Sequence, residues 1–472
     1  MSSLPDSHDF RRSGFRRITD AFLLQPGLPF ARLLSAERIE QVFAKHGNLF
    51  GGSVYTTAVM VWSFLSQVLR DGKEASCQSA VARIVAYQLQ TGGATPTADT
   101  GDYCRARAKL SEDALHDLTV ATGAEIEQQA QTDWLWKARH AKLVDGFTFT
   151  MPDTPANQAA YPQAKTQTPG VGFPIARACA ILSLATGCVL DLAVGPYSGK
   201  QTGETALLRQ LLDSFSAGDL LVADRYYCSF LMIALLCQRQ VDVCARLHQC
   251  RTTDFRRGLR LGHEDHLIVW TKPARPEWMD EETYATIPET LTLREIRFNV
   301  TEPGRRTEVI TVITTLTDAE VYTREDIAQL YGFRWNSELD IRSIKVALNL
   351  SHVRCKSPEM VRCELWTTLL GYNLIRTTGV AAAALHEKQP RQIGFTATCQ
   401  YVLANWSWYS TDCADADQIL KRCREMLAQI AGCEVANRPG RIEPRELKRR
   451  RHGYKLMQEP RATLRARLKN PN

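Results

Sequence analysis

Residues 331–345 read YGFRWNSELDIRSIK, from Tyr331 to Lys345. Apolar residues recur around them at helical spacing (Leu330, Leu339, Ile341, Ile344, Leu348), which predicts one helix from about Arg324 to Leu348 with Thr323 as its N-cap. At about 100° per residue, Tyr331, Arg334, Glu338 and Lys345 fall at about 0°, 300°, 340° and 320°, with Arg342 beside them at about 20°. Asp340 falls at about 180°, on the far side, so Glu338 is the carboxylate of this stripe. Tyr331 and Lys345 are about 21 Å apart along the axis, too far to share a pocket, so the stripe suits a long anion such as a nucleic-acid backbone. Spacing also allows a plainer face of i,i+4 ion pairs, Arg334 with Glu338 and Glu338 with Arg342. The apolar flanks weigh against it, because they mark a largely buried helix, and burying charge without a purpose is costly.

Upstream, two carboxylates stand on apolar strands. Asp145 lies in Leu143-Val144-Asp145-Gly146, inside a strand predicted over Lys142 to Thr150. Asp224 ends Leu220-Leu221-Val222-Ala223-Asp224-Arg225. A strand holds such a residue rigidly, as a site requires. Taken singly, each is more often a turn or cap residue.

Around these points the chain reads as α/β. Residues 36 to 130 are helical in pattern (Val59 to Leu69, Ala80 to Leu89, Leu115 to Ile126). A Gly/Thr/Pro-rich loop, Thr91 to Asp102, leads into a short basic helix, Tyr103 to Lys109, readable either as a DNA-reading helix or as a solvated face. Strands are predicted at Ala176 to Leu184 and Cys188 to Val194, joined by Thr186-Gly187, then a helix from Glu204 to Phe215, a strand Leu220 to Ala223, a helix Phe230 to Gln238 and a strand Val241 to Ala245. Residues 248 to 318 read as a β-rich insertion, with strands Leu267 to Thr271, Ile296 to Val300 and Val309 to Thr314 and a turn at Glu302-Pro303-Gly304. Helices follow near Val361 to Ala384 and Ala416 to Ile430. The expected division is a helical domain over 1–137, a catalytic core in two parts over 138–247 and 319–395, the insertion over 248–318 between them, and a helical, basic C-terminal region over 396–472.

The formal net charge is +7, and its location says more than its size. Residues 438–472 hold 12 Lys/Arg against 3 Asp/Glu, so the excess sits in this tail, with Lys448, Arg449, Arg450 and Arg451 at its centre. Such a block suits a polyanion, most often nucleic acid, or is a solvated tail without a partner. The longest apolar run, Phe230 to Cys237, is too short to span a bilayer, and the basic start (Arg11, Arg12, Arg16, Arg17) does not read as a signal peptide, so a cytoplasmic, nucleoid-associated protein is expected. The 14 cysteines lack zinc spacing and read as small apolar side chains. Gly195 to Gln201 is not a phosphate loop, because three residues rather than four separate its glycines and Gln201 stands where Ser or Thr is needed; it is expected to border a DNA channel. His263-Glu264-Asp265-His266 lacks metalloprotease spacing and reads as surface.

The pattern Tyr331-x₂-Arg334-x₃-Glu338-x₆-Lys345 resembles, without a gap, the Y-R-E-K signature of DDE transposases of the insertion-sequence-4 family, which includes the transposon-five transposase. Asp145-Gly146 followed by Met151 to Asn157 resembles the family's first-Asp motif, and Ala223-Asp224-Arg225-Tyr226-Tyr227 its second. The resemblance implies an RNase H-like catalytic core (retroviral integrase superfamily) with a β-rich insertion between the second Asp and the Glu. It implies that Asp145, Asp224 and Glu338 hold two Mg²⁺ ions, which Mn²⁺ can replace, and that Tyr331, Arg334 and Lys345 hold the DNA strand, with Arg342 beside them. It implies an aromatic residue that stacks a flipped base, for which Trp270 and Trp278 are candidates. The expected partners are double-stranded DNA, both terminal inverted repeats and target, and a second copy of the chain in the synaptic complex. The expected activity is metal-dependent cleavage at element ends and strand transfer, in cut-and-paste fashion. The alternatives are an inactive DNA-binding relative and a nuclease without strand transfer.

Overall fold

The computed structural model describes residues 34–91, 93–300, 308–411, 416–435 and 457–469. The expected turn at Glu302-Pro303-Gly304 and the basic run Lys448 to Arg451 lie outside the described residues. The described residues begin with helices α1 (Ala36–Lys45), α2 (Thr57–Val68), α3 (Cys77–Thr91), α4 (Thr100–Arg107) and α5 (Glu112–Gln128). Ser35, Thr56, Asp99 and Ser111 cap α1, α2, α4 and α5, each side chain accepting a backbone N–H of the first turn. Then follow β1 (Ala141–Thr150), α6 (Pro155–Ala160), β2 (Ile175–Ser183), β3 (Val189–Pro196), α7 (Glu204–Gln210), β4 (Leu220–Ala223), α8 (Phe230–Gln238) and β5 (Asp242–Arg246). The insertion supplies β6 (Leu259–Gly262), β7 (Asp265–Thr271), α9 (Glu281–Thr286), β8 (Thr290–Val300) and β9 (Glu308–Thr314). The later described elements are the helices α10 (Arg324–Gly332), α11 (Trp335–Arg342), α12 (Pro358–Leu385), α13 (Phe395–Thr411), α14 (Ala416–Gly432) and α15 (Arg461–Lys469).

Among the described residues, all the strands join one mixed sheet in the order β3-β2-β1-β4-β5-β9-β8-β7-β6. β1, β2 and β3 form an antiparallel meander, and Gly187, at φ 77°, makes the tight turn that the Thr186-Gly187 pair predicts. β4 and β5 add in parallel, through α7 and α8. β9 then pairs antiparallel with β5, so backbone hydrogen bonds join β6 to β9 to the rest of the sheet.

The two faces of the sheet bury different cores. Leu143, Phe147 and Phe149 of β1 join a cluster that includes α1, α2, α5 and the long α12, which is buried on nearly every side. Val144 of β1 and Leu221 and Ala223 of β4 join the opposite cluster, with α7, α8 and insertion residues. The strand period of two thus places Asp145 on the α12 side of β1 and Gly146 on the α7 side.

The structure differs from the sequence-based expectations in several places. The helix expected over Arg324 to Leu348 changes its winding twice. At Arg334 it tightens to i→i+3 bonds (Arg334 N–H to Tyr331 O, 3.0 Å; Ser337 N–H to Arg334 O, 3.0 Å), and over Ser343–Ala347 it widens to a π turn. The Asn336 side chain donates to Phe333 O at 3.0 Å, a side-chain bond that competes with the regular ladder. Leu339, expected to be buried, is exposed. The helix expected to reach Phe215 ends at Gln210, before a 3₁₀ turn over Leu212–Ser214. α13 escapes a pattern search because its Thr, Ser and aromatic residues are modest helix formers. The surface reading of His263 to His266 fails for Asp265 and His266. Both are buried, with Asp265 paired to Arg294 at 2.6 Å and His266 hydrogen-bonded to Glu295 at 3.1 Å. The described cysteines are all free and most are buried. Among the described residues no helix is long and apolar enough to cross a membrane.

Candidate active site

Strand register brings the first two carboxylates abreast. Val144 of β1 lies opposite Ala223 of β4, so the next residues, Asp145 midway along β1 and Asp224 just past the end of β4, are neighbours on parallel strands about 4.8 Å apart. α11 packs over β1 and delivers the rest. Ser337 is fully buried, and its hydroxyl donates to Asp145 Oδ2 at 2.7 Å. The Gly146 N–H donates to Asp145 Oδ1 at 2.8 Å. Arg334 lies between the carboxylates, with Nη2 2.9 Å from Glu338 Oε1 and Nη1 3.8 Å from Asp145 Oδ2.

The electrostatics follow from this crowding. Burial lifts the Asp145 carboxyl above its ordinary value; the bonds from Ser337 and Gly146 and the charge of Arg334 oppose that, while Glu338 adds to it. For Arg334, burial acts against the charge, yet Tyr331, Glu338, Asp224 and Asp145 together hold its pKa above the ordinary value. Burial likewise pushes the Tyr331 phenol up. That ring is buried, tilted against Phe298 of β8 at 6.4 Å between centroids, so the insertion touches the site. Arg225 Nε stands 4.0 Å from Asp224 Oδ1.

Asp145, Asp224, Glu338, Tyr331 and Arg334 therefore share one neighbourhood. Asp340 does not: it is 1% exposed and paired with Arg376 and Arg391 at 2.6 and 2.5 Å. The ion pair between Arg334 and Glu338, which spacing alone allowed, forms as part of the site. Arg342 is exposed, and Lys345 lies half-buried in the π turn. In the basic helix near residue 103, Tyr103 is buried and donates to Gln67 Oε1 at 2.8 Å, and Arg107 donates to the same oxygen at 2.8 Å; Arg105 and Lys109 remain outward. Trp270 is 6% exposed under Arg251, whose guanidinium is 3.5 Å from the ring centroid, and Trp278 carries Arg209 at 4.0 Å. The exposed aromatic rings next to site residues are instead Tyr226 and Trp335.

Two further residues of the site escaped the sequence reading. Ser337 announces itself by no motif. Glu204, at the start of α7, lies against Gly146, where an added Cβ would come within 2.4 Å of its Cδ. The signal for a close approach was the glycine inside a strand. Among the described residues, no three His, Cys, Asp or Glu side chains converge into a ready ligand shell, and the Arg334 guanidinium stands among the acidic groups instead.

A family model described as the transposase DDE domain matches residues 136–374, a span that begins just before β1 and ends within α12. The chain belongs to the DDE transposase family. It is 26% identical over 410 residues, 84% of this chain and 86% of the relative, to the transposase InsG for insertion sequence element IS4 of Escherichia coli (strain K12). The transposase is thus an enzyme that cleaves and transposes DNA. Among solved structures, the piggyBac transposase synaptic complex with hairpin DNA matches at a TM-score of 0.41 and 9% identity, over 87% of this chain and 85% of that one, a likeness too distant to carry weight.

Proposed function

We propose that this transposase works through an RNase H-like core in which Asp145, Asp224 and Glu338 hold two divalent ions, Mg²⁺ or Mn²⁺. The observation that carries this is the β1–β4 register that sets Asp145 beside Asp224, with Arg334 linking Asp145 to Glu338. The donor set fits: carboxylate oxygens are the ligands that hard cations take, and the guanidinium among them is a cation standing in such surroundings. When bound, the ions would activate the attacking hydroxyl and stabilise the leaving oxygen of a phosphodiester.

The residues of the chain do the remainder. Ser337 and the Gly146 N–H orient the Asp145 carboxylate. Arg334, released from Glu338, offers its planar fork to a phosphate of the cut strand, and Lys345 and Arg342 extend that contact along the backbone. Tyr331 fixes the approach from the insertion side, through Phe298. The helical region over 1–137 recognises element ends, the insertion over 248–318 braces the DNA, and the region over 396–472, with Lys448 to Arg451, adds contacts to DNA or to a second subunit. Two copies pair two ends, and the element is cut out and pasted.

The test is a plasmid carrying the element with its native terminal repeats, incubated with purified protein and Mg²⁺ or EDTA. Mg²⁺-dependent excision and insertion into a second plasmid are expected. Glu338→Ala is expected to abolish cleavage and leave end binding intact. Cutting at the wild-type rate by this variant would overturn the assignment.

A further inference from the structure

Glu204 has no place in a three-carboxylate site, yet the fold brings it there. Its carboxyl occupies the space where a side chain at residue 146 would stand, with Oε1 2.5 Å from an added Cβ and Cδ 2.4 Å away. Asp145 leaves β1 on the opposite face, so the strand is flanked by a carboxyl on each side at adjacent residues. The buried Tyr227, three residues after Asp224, donates its hydroxyl to Glu204 Oε2 at 3.3 Å and ties Glu204 to the turn that follows the second carboxylate. The charges of Asp145 and Asp224 both reach it.

No cation offsets this directly. Among the described residues no Lys or Arg makes an ion pair with Glu204. Arg177 acts on it only through space, and its own guanidinium donates to Thr202 O at 3.2 Å and covers the Tyr197 ring at 4.7 Å. A half-buried carboxylate beside two like charges is costly unless a cation joins them.

We propose that Glu204 is a fourth carboxylate of the metal site, lending an oxygen to an ion that Asp145 and Asp224 hold. This rests on the three-carboxylate reading above. Gly146 is then a requirement of that approach, since a methyl group at 146 drives the Glu204 carboxyl away without removing it.

The experiment titrates Mn²⁺ alone into the full chain and follows free Mn²⁺ by electron paramagnetic resonance, with thermal melts in EDTA to report folding. Glu204→Gln keeps the size and the Tyr227 contact and removes the charge; it is expected to weaken binding about tenfold or to lose one ion. Gly146→Ala is expected to do the same, and serves where Glu204→Gln fails to fold. Tyr227→Phe removes the hydroxyl's hydrogen bonds to Glu204 and Cys179 but leaves every carboxylate charged, and is expected to bind as wild type. If Glu338→Gln weakens binding and Glu204→Gln does not, Glu204 is structural and the three-carboxylate site stands. Equal weakening by Tyr227→Phe also overturns the proposal. If neither carboxylate change alters binding, the three-carboxylate reading falls and this proposal with it.

Discussion

Ser337 fills the gap between Arg334 and Asp145, and the pH behaviour of the site depends on it. Its hydroxyl opposes the burial that lifts the Asp145 carboxyl. Without it, Asp145 keeps its proton to higher pH and is charged over a narrower range. Ser337→Ala is therefore expected to move the acidic limb of the cleavage profile to higher pH and to slow cutting about tenfold on that limb, the worth of one such bond at about 1.4 kcal/mol. An unmoved limb would show that the hydroxyl does not govern Asp145. The residues legible from sequence were those whose surroundings are local. Asp145 and Asp224 interrupt apolar strands, and Glu338 sits on a patterned helix. Ser337 and Glu204 become informative only across 192 residues of chain for the Ser337–Asp145 bond, or across the face of β1.

The helical wheel succeeded where α11 is regular. Glu338 and Asp340 lie on opposite sides within that one helix, and Asp340 points into the core, between Arg376 of α12 and Arg391. It could not describe the stretch as a whole, because tightening at Arg334 over-rotates the chain and the π turn before Leu348 under-rotates it. β6 was missed for a related reason: it is a short edge strand without a buried face, so it carries no alternation. Asp340 joins α11 to α12, and removing it leaves two guanidinium groups facing each other in the interior. Asp340→Ala is expected to destabilise the fold by about 3–5 kcal/mol, read as a lower denaturation midpoint. A midpoint within experimental scatter of wild type would mean that α11 is held by apolar packing alone.

Across the whole molecule, the alternation of strands and helices was legible, and the shared core was not. α1, α2 and α5 bury their apolar faces in the same cluster as β1 and α12, so these helices share one core with the sheet. The positive excess of the sequence falls in residues 438–472. Neutralising Lys448, Arg449, Arg450 and Arg451 is expected to weaken binding to all DNA sequences. It should also flatten the slope of log affinity against log salt by up to about 3.6. A slope equal to wild type would remove the tail from the DNA contacts.

The place of α12 in the chain decides when the larger core can close during synthesis. This helix begins at Pro358 and ends at Leu385, and the helices made first, α2 and α5, pack against it. A ribosome that has finished β9 has made Asp145 and Asp224, but neither Glu338 nor the central support of the fold. Chains that stop at β9 thus lack Glu338, proposed above as the third carboxylate, together with the helix at the centre of the larger buried cluster. On the proposed reading of Glu338, copies that stop before α11 cannot assemble the site, and DNA is exposed to cutting only by chains that extend through α12.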